Sequence, residues 1–399
     1  MKISDINLRI ISDSRGEDTL EAEMFSGEEK VVTSVPSGKS KGSGEAVVLP
    51  PHLVLHKLEW IKSRVCNREF STLGEFDDLL LTLDGTADKS SLGGNLMLVL
   101  SMAFTKLLAK KGRLETFELI AKLSRTTLGK FPLCFYNLIE GGVHVPSTSL
   151  RASLPFQEYL YIPQTNSPKE SLEMVQKVIK LLGEKIHTRH GKQEMGDEGG
   201  YALSGEDSLL GLMLLEETQE ELGMKHKIGL DIAASTFFSQ GKYKMEGKMV
   251  DNNYLGELYQ GIVEDFPLFS IEDPFAEEDW QGFEEITKKL GDKIWIVGDD
   301  LTTTNPRRIR EAYEKQAINA VIVKPTQIGT VSETIQAALL AKSYGWKIIV
   351  SHRGRETMDT FIADLAVGLG ADGFKSGSPT QKTRLVKYQR LVEIERSLK

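Results

Sequence analysis

Six short apolar runs in the later part of the chain end in polar side chains: Asp231, Glu272, Asp299, Lys324, His352 with Arg353, and Lys375. Three of these are carboxylates with no cysteine beside them. If they converge they form a hard, oxygen-only site that suits Mg²⁺ rather than zinc or copper. Any one acid would serve as readily as a helix cap, but three acids in register are rarely left without a cation. Lys324 follows Ala320-Val321-Ile322-Val323 and precedes Pro325, so it is expected to emerge from a buried strand. Such a lysine either snorkels or is a base whose pKa has been lowered by desolvation and neighbouring cations. Beside a divalent metal the second reading gains weight, because a metal-bound carboxylate substrate has an acidified α-proton that a neutral lysine can remove. Lys375 could add positive charge. His352-Arg353 could hold phosphate or carboxylate oxygens, the arginine through a bidentate fork, with a satisfied core imidazole as the lesser alternative for the histidine.

Two loop segments carry further candidates. Met195-Gly196-Asp197-Glu198-Gly199-Gly200 sets two acids in a glycine-flanked turn. On its own it reads as a solvated turn, although a carboxylic acid there could protonate a leaving hydroxyl. Pro36-Ser37-Gly38-Lys39-Ser40-Lys41-Gly42 contains Gly-Lys-Ser, but the phosphate-loop pattern also needs an earlier glycine where Thr33 stands. The nucleotide reading fails there, and a Gly- and Ser-rich lid remains.

For the strand-end residues to share a rim, their strands must lie side by side with the polar ends together. After Phe131 the chain alternates apolar runs at 227–231, 268–273, 294–300, 320–325, 347–353 and 373–378 with helical stretches. One helix is expected to begin at the Asn305 cap with Pro306 in its first turn. The next opens on a Thr330-x-x-Glu333 capping box and stops at Gly345. The rim residues are spaced about one strand-helix unit apart, with a longer gap between Asp231 and Glu272, and a parallel barrel fits this rhythm better than an open sheet. Before residue 125 the order differs. Three β-rich segments at 2–11, 19–25 and 30–35 predict a meander, and apolar periodicity over 73–83 and 95–111 predicts helices, the second closed by Gly112. Strands followed by helices read as an α+β unit.

The chain has 399 residues, 40% apolar and 27% charged, with a formal net charge of -8. Such a length suggests two compact units. The acidic balance argues against a nucleic-acid or anionic-membrane partner, so an anionic substrate must be held by local charge. No run of eighteen or more apolar residues occurs, and residues 1–20 lack a secretory pattern, from which a cytoplasmic location is expected. Cys66 and Cys134 lie far apart without metal-ligand spacing and are expected to be plain buried or half-buried thiols.

Read as strings, the same segments resemble the enolase family from Asp13 to Glu395. The blocks are SDSRG (12–16), SGKSKGSGEA (37–46), LDGTADKSSLGGN (83–95), FYNLIEGGVH (135–144), GDEGG (196–200), GLDIAAS (229–235), SIEDPF (270–275), GDDLTTTNP (298–306), KPTQIGT (324–330), SHRGRETMDTFIADL (351–365) and KSGSP (375–379). The resemblance implies an α/β fold: a C-terminal eight-stranded β/α, TIM-like barrel over 126–399, and an N-terminal α+β domain over 1–125 with a three-stranded meander and helices. It implies dehydration of 2-phosphoglycerate to phosphoenolpyruvate with two Mg²⁺ per site, the second arriving with substrate. Asp231, Glu272 and Asp299 resemble the ligands of the first Mg²⁺, and Ser40 is similar to a ligand of the second. Lys324 looks like the base at C2, Glu198 like the acid that helps expel the 3-hydroxyl, and Glu158 like a second acid assisting it. Lys375 resembles the lysine that stabilises the enolate carboxylate. His352 and His144 match active-site histidines, and Arg353 the phosphate-binding arginine, with Gly354, Arg355 and Gln157 alongside as substrate-binding positions. A homodimer or higher homo-oligomer is also implied.

The chain departs from the family pattern in three places. The usual Ser-His-Arg-Ser-Gly-Glu-Thr becomes Ser351-His352-Arg353-Gly354-Arg355, so a phosphate-contacting serine is lost, and Arg355 either compensates or weakens product release. After His144 the family's His-Ala-Gly-Asn segment is replaced by Val145-Pro146-Ser147-Thr148-Ser149-Leu150-Arg151, with about five extra residues before Gln157. Lys39 stands where the family has alanine. These changes leave two other readings: a catalytically weakened, enolase-like binding or scaffold protein of the plasminogen-binding kind, which the terminal Lys399 invites, and a related dehydratase acting on another acid.

Overall fold

The structure is a computed structural model that describes residues 1–38, 42, 44–145, 153–191 and 194–399. The chain opens with β1 (Asp5–Ser12), β2 (Asp18–Ser26) and β3 (Glu29–Ser34), which pair antiparallel in sequence order as the expected meander. On β2, Leu20, Ala22 and Met24 alternate onto one buried face, which is covered by the helix Gly94–Lys111. Period-two burial is what a sheet with one wet face requires. A second helix, Leu73–Asp84, begins where the Thr72 hydroxyl accepts from the Glu75 amide at 3.2 Å, and ends at Gly85 in the left-handed region.

The rest of the chain supplies β4 (Leu133–Glu140), β5 (Glu158–Pro163), β6 (Glu194–Met195), β7 (Tyr201–Ala202), β8 (His226–Asp231), β9 (Phe238–Ser239), β10 (Lys242–Met245), β11 (Lys248–Val250), β12 (Leu268–Glu272), β13 (Trp295–Gly298), β14 (Ala320–Val323), β15 (Lys347–Ser351) and β16 (Gly373–Lys375). Eight of these, in the order β4-β5-β8-β12-β13-β14-β15-β16, close into a barrel through pairing of β16 with β4. Phe135, Leu160, Ile162, Val297, Ala320, Ile322 and Ile349 form an apolar cluster of their own. They are inward-pointing residues of five different strands, so the barrel is packed rather than open. The helix caps fall where expected: the Asn305 side chain accepts from the Arg307 amide at 2.9 Å, and the Thr330 hydroxyl accepts from the Glu333 amide at 3.2 Å. The long gap between Asp231 and Glu272 holds the small antiparallel sheet β9-β10-β11 and the helix Asn252–Asp265.

One strand departs from the expected parallel arrangement. β5 runs antiparallel to both neighbours, β4 and β8. Parallel strands need a crossover of a dozen or more residues, usually a helix, whereas antiparallel neighbours need only a turn. Among the described residues between β4 and β5 the only helical piece is the short 3₁₀ turn Gly142–His144. The reversal has a functional consequence. Glu158, the first residue of β5, stands opposite Glu140 and Asp231, the last residues of β4 and β8, and so reaches the same rim. Among the described residues no helix is long and apolar enough to cross a membrane.

Candidate active site

The carboxyl ends of the parallel strands and the start of β5 surround one polar cavity. Its walls carry Glu158, Glu198, Asp231, Asp299 and Asp300 against the cations Lys324, Arg353 and Lys375, with His144, His352, Gln157 and Gly354 between them. Lys375 ends β16 and is buried; its Nζ lies 2.8 Å from Asp231 Oδ2, 2.8 Å from Glu272 Oε2 and 3.2 Å from Glu158 Oε2. Burial alone would depress its pKa, but Asp231, Glu158 and Glu272 together raise it well above the usual lysine value.

Lys324 follows β14, and its amide donates to the Thr304 hydroxyl at 2.9 Å. Its Nζ is paired with Asp299, whose other oxygen accepts from Gln327 Nε2 at 2.9 Å. Here the expected depression of the lysine pKa is corrected. Burial pushes it down, and so do Arg353 and Lys375, yet Asp299 in direct contact outweighs them and leaves it above the ordinary value. β14 and β5 are four strands apart around the eight-stranded barrel, so Lys324 and Glu158 face each other across the mouth.

The Gly196–Gly200 turn is not a solvated one. Buried Glu140 accepts from the Glu198 amide at 3.1 Å and the Gly200 amide at 2.6 Å. A Cβ on Gly196 would lie 2.2 Å from Glu140 Oε2, so only glycine lets the turn close on that carboxyl group. Glu198 is thereby held inside, with His352 Nε2 3.2 Å from its Oε2 and His144 Nε2 3.9 Å from its Oε1. His144 Nδ1 is in turn 3.6 Å from Glu158 Oε1. Burial would raise both carboxyls. For Glu198 the flanking His352, His144 and Arg384 win and hold it well below the ordinary range, whereas for Glu158 burial wins over Lys375 and it is pushed well above. The two neighbouring acids are thus pushed in opposite directions.

Burial, aided by Arg384, pushes His352 down to about 4. The unfolded ring titrates near 6.5. Between those values the unfolded chain binds a proton that the folded ring refuses, so this contribution to stability is complete above about 6.5 and is lost as pH falls toward about 4, by on the order of 3 kcal/mol. Denaturant melts at pH 7 and pH 4.5 are expected to separate less for His352→Gln than for the wild type; equal separation would contradict the neutral buried ring.

Arg353 Nη1 lies 2.9 Å from Glu45 Oε2 and 3.4 Å from the Thr326 hydroxyl, while Glu356 accepts from the Arg353 amide at 3.1 Å. Gly354 is part of the wall, but Arg355 is not: its backbone exchanges hydrogen bonds of 3.0 and 3.1 Å with Ser37. Ser40, Lys39 and the replaced segment 146–151 lie outside the described residues. Sequence reasoning passed over Glu45, Glu140, Asp273, Asp300, Gln327 and Arg384. Glu140 ends an apolar run as the other rim residues do, and the same rule would have found it. Asp300 is the second of the Asp-Asp pair, and no local pattern marks Arg384.

A family model described as the N-terminal domain of enolase matches residues 3–120, and one described as the enolase C-terminal TIM barrel domain matches residues 129–399. The chain belongs to the enolase family. It is similar to the enolases of Thermococcus kodakarensis, Pyrococcus furiosus and Thermococcus gammatolerans, at 38% identity in each case, over all of this chain and 95% of the relative. Its class is that of the enolases, phosphopyruvate hydratases among the carbon–oxygen lyases.

Enolases generally use Mg²⁺, and the acids of this enolase-family chain fit that ion. Asp273, Asp299 and Asp300 offer oxygens all within 4.8 Å of one another, and Asp231 and Glu272 converge on Lys375. Glu272 Oε1 is buried with no hydrogen-bond partner among the described residues. Burial and then Asp231 push the Glu272 carboxyl up to about 8, and burial and then Asp299 push Asp300 up to about 7. Carboxylates so crowded and under-compensated make a donor set suited to a hard divalent cation.

Proposed function

We propose that this enolase-family chain interconverts 2-phospho-D-glycerate and phosphoenolpyruvate, with Lys324 as the base at C2 and the Glu158–His144–Glu198 cluster as the acid at C3. The observation that carries this reading is the facing of Lys324 and Glu158 across one cavity. A base and a proton store on opposite walls suit an anti elimination. Asp231, Glu272 and Asp299 would hold the first Mg²⁺, and Ser40 would help hold the second. When bound, Mg²⁺ would supply positive charge to the substrate oxygens; Asp299, one of its ligands in this reading, is also the partner of Lys324.

The remaining steps belong to the chain's own side chains. Burial, Arg353 and Lys375 all disfavour an ammonium at Lys324, so without the Asp299 contact its amine becomes a competent base. Lys375 stands ready beside the negative charge that builds on the substrate carboxylate once the C2 proton has gone to Lys324 Nζ. The hydroxyl at C3 leaves as water with the proton stored on Glu158, relayed beside His144 and Glu198. Arg353 holds the phosphate by exchanging its Glu45 partner for phosphate oxygens, with Gln157 and Gly354 also in the pocket wall. The domain division at 125/126, a homo-oligomeric state and a cytoplasmic location belong to the same proposal.

The test is the ultraviolet signal of enolpyruvate formation when purified protein meets 2-phosphoglycerate and excess Mg²⁺. Steady formation is expected, and no signal under those conditions would remove the reading.

A further inference from the structure

The last helix, Lys382–Leu398, places its first turn behind the loop that follows β15 and delivers Arg384 there. Arg384 heads the fully buried side chains by size. Its Nη1 contacts Nδ1 of His352 and donates to the Arg353 carbonyl at 2.7 Å; its Nη2 donates to the Gly354 carbonyl at 2.9 Å. One guanidinium thus holds three consecutive residues of the site by their acceptors. Among the described residues no carboxylate lies within ion-pair distance of it. A buried cation kept without a direct counter-ion is costly, so what it touches is informative.

A guanidinium has five N–H donors, no acceptor, and stays protonated. Nδ1 of His352 must therefore present a lone pair to it. The neutral imidazole then carries its only proton on Nε2, which faces Glu198 Oε2 at 3.2 Å. Gly377 lets these groups close on one another: a Cβ there would lie 3.2 Å from Arg384 Cδ, 3.3 Å from His352 Cε1 and 3.0 Å from the Glu198 carbonyl oxygen, at a left-handed φ of +66°.

We propose that Arg384 is a positioning residue of the reaction: it locks His352 as the Nε2–H tautomer, making the ring a fixed donor to Glu198 rather than a carrier of protons. This rests on the enolase reading above. The charged groups facing the ring are Glu198, Arg384 and, from its own loop, Glu356. A donor that cannot exchange its proton keeps Glu198 oriented and ionised. The proton that departs with the hydroxyl then comes from the Glu158 side of the cluster and not through His352.

The test is ¹⁵N NMR of histidine-labelled full-length protein with Mg²⁺, with His352→Gln identifying the signal by its loss, alongside steady-state kinetics. In the wild type, Nδ1 is expected to show the unprotonated shift and Nε2 the N–H shift, unchanged from pH 5.5 to 8.5. In Arg384→Met the ring is expected to mix tautomers and to titrate nearer its ordinary value of about 6.5. The kcat is expected to fall roughly 10- to 100-fold, a usual scale for losing a group that orients a functional side chain, with KM changed less than about twofold and a new acidic limb in the kcat profile. Arg384→Lys keeps a cationic donor and is expected to return the wild-type ring signature and most of kcat. A wild-type tautomer signature in folded Arg384→Met would overturn the proposal. If that variant does not fold, a freely titrating His352 in Arg384→Lys would overturn it instead. A wild type that leaves phosphoglycerate untouched would sink the enolase reading while the same spectra still decide the tautomer.

Discussion

Lys324→Ala is expected to cut phosphoenolpyruvate formation by on the order of 10⁴-fold, at the upper end of what one positioned general base contributes. Lys324 emerges from a fully buried strand, its amide is held by Thr304 at 2.9 Å, and among the described residues the cavity's other lysine, Lys375, is committed to Asp231, Glu272 and Glu158. The loss should appear in kcat, with KM for phosphoglycerate little changed, because the proposed reading gives the phosphate to Arg353, which follows a different strand, β15. Removing the ammonium also relieves Asp299 of its paired cation, leaving Gln327 at 2.9 Å as the side-chain partner of that carboxylate among the described residues. Calorimetric Mg²⁺ affinity should therefore hold or rise in the variant. Residual turnover above about a tenth of wild type would move the base elsewhere, and a marked loss of Mg²⁺ affinity would show that the lysine supports the metal site rather than the chemistry.

Glu272→Gln is expected to have the second largest effect, and one that changes sign with the metal. In wild type, Mg²⁺ at a hundred times its dissociation constant should stabilise the fold by about 2.7 kcal/mol, seen as an upward shift of the thermal midpoint. The variant should lose most of that shift together with turnover, since a neutral amide is a poor partner for a hard dication. In chelator the order should level or invert. There Glu272 is a buried carboxyl with one oxygen unpartnered among the described residues, crowded by Asp231, and its carboxyl is pushed up to about 8 by burial first and that neighbour second. An amide of the same shape avoids that conflict and can still accept from Lys375. A Mg²⁺-induced shift equal to wild type would take Glu272 out of the ligand set.

The way the helices are punctuated was readable because capping is local. Asn305 with Pro306, and Thr330 with Glu333, act within one turn, and the hydrogen bonds at 2.9 and 3.2 Å are where the residue types put them. The meander was readable for a related reason, since period-two burial on β2 is written in Leu20, Ala22 and Met24 themselves. The reversal of β5 was not. It depends on the connection between Glu140 and Glu158 lacking a crossover helix, and an apolar run reads the same in either direction. The Gly196–Gly200 turn misled because glycines and acids together look solvated until the distant carboxyl of Glu140 is seen to close it.

What the chain by itself determined is which residues reach the rim. A strand buried on both faces must be apolar until it ends, so Asp231, Glu272, Asp299, Lys324, His352 and Lys375 are displayed by the pattern that buries their neighbours. What only the tertiary structure decided is the charge state and partnership of those residues. Lys324 is paired with Asp299, the Glu158 carboxyl is pushed up while that of Glu198 is held down, and His352 is held by an arginine from the last helix. These outcomes follow from burial and from separations of a few ångströms between residues tens or hundreds of positions apart, and no local periodicity encodes such distances.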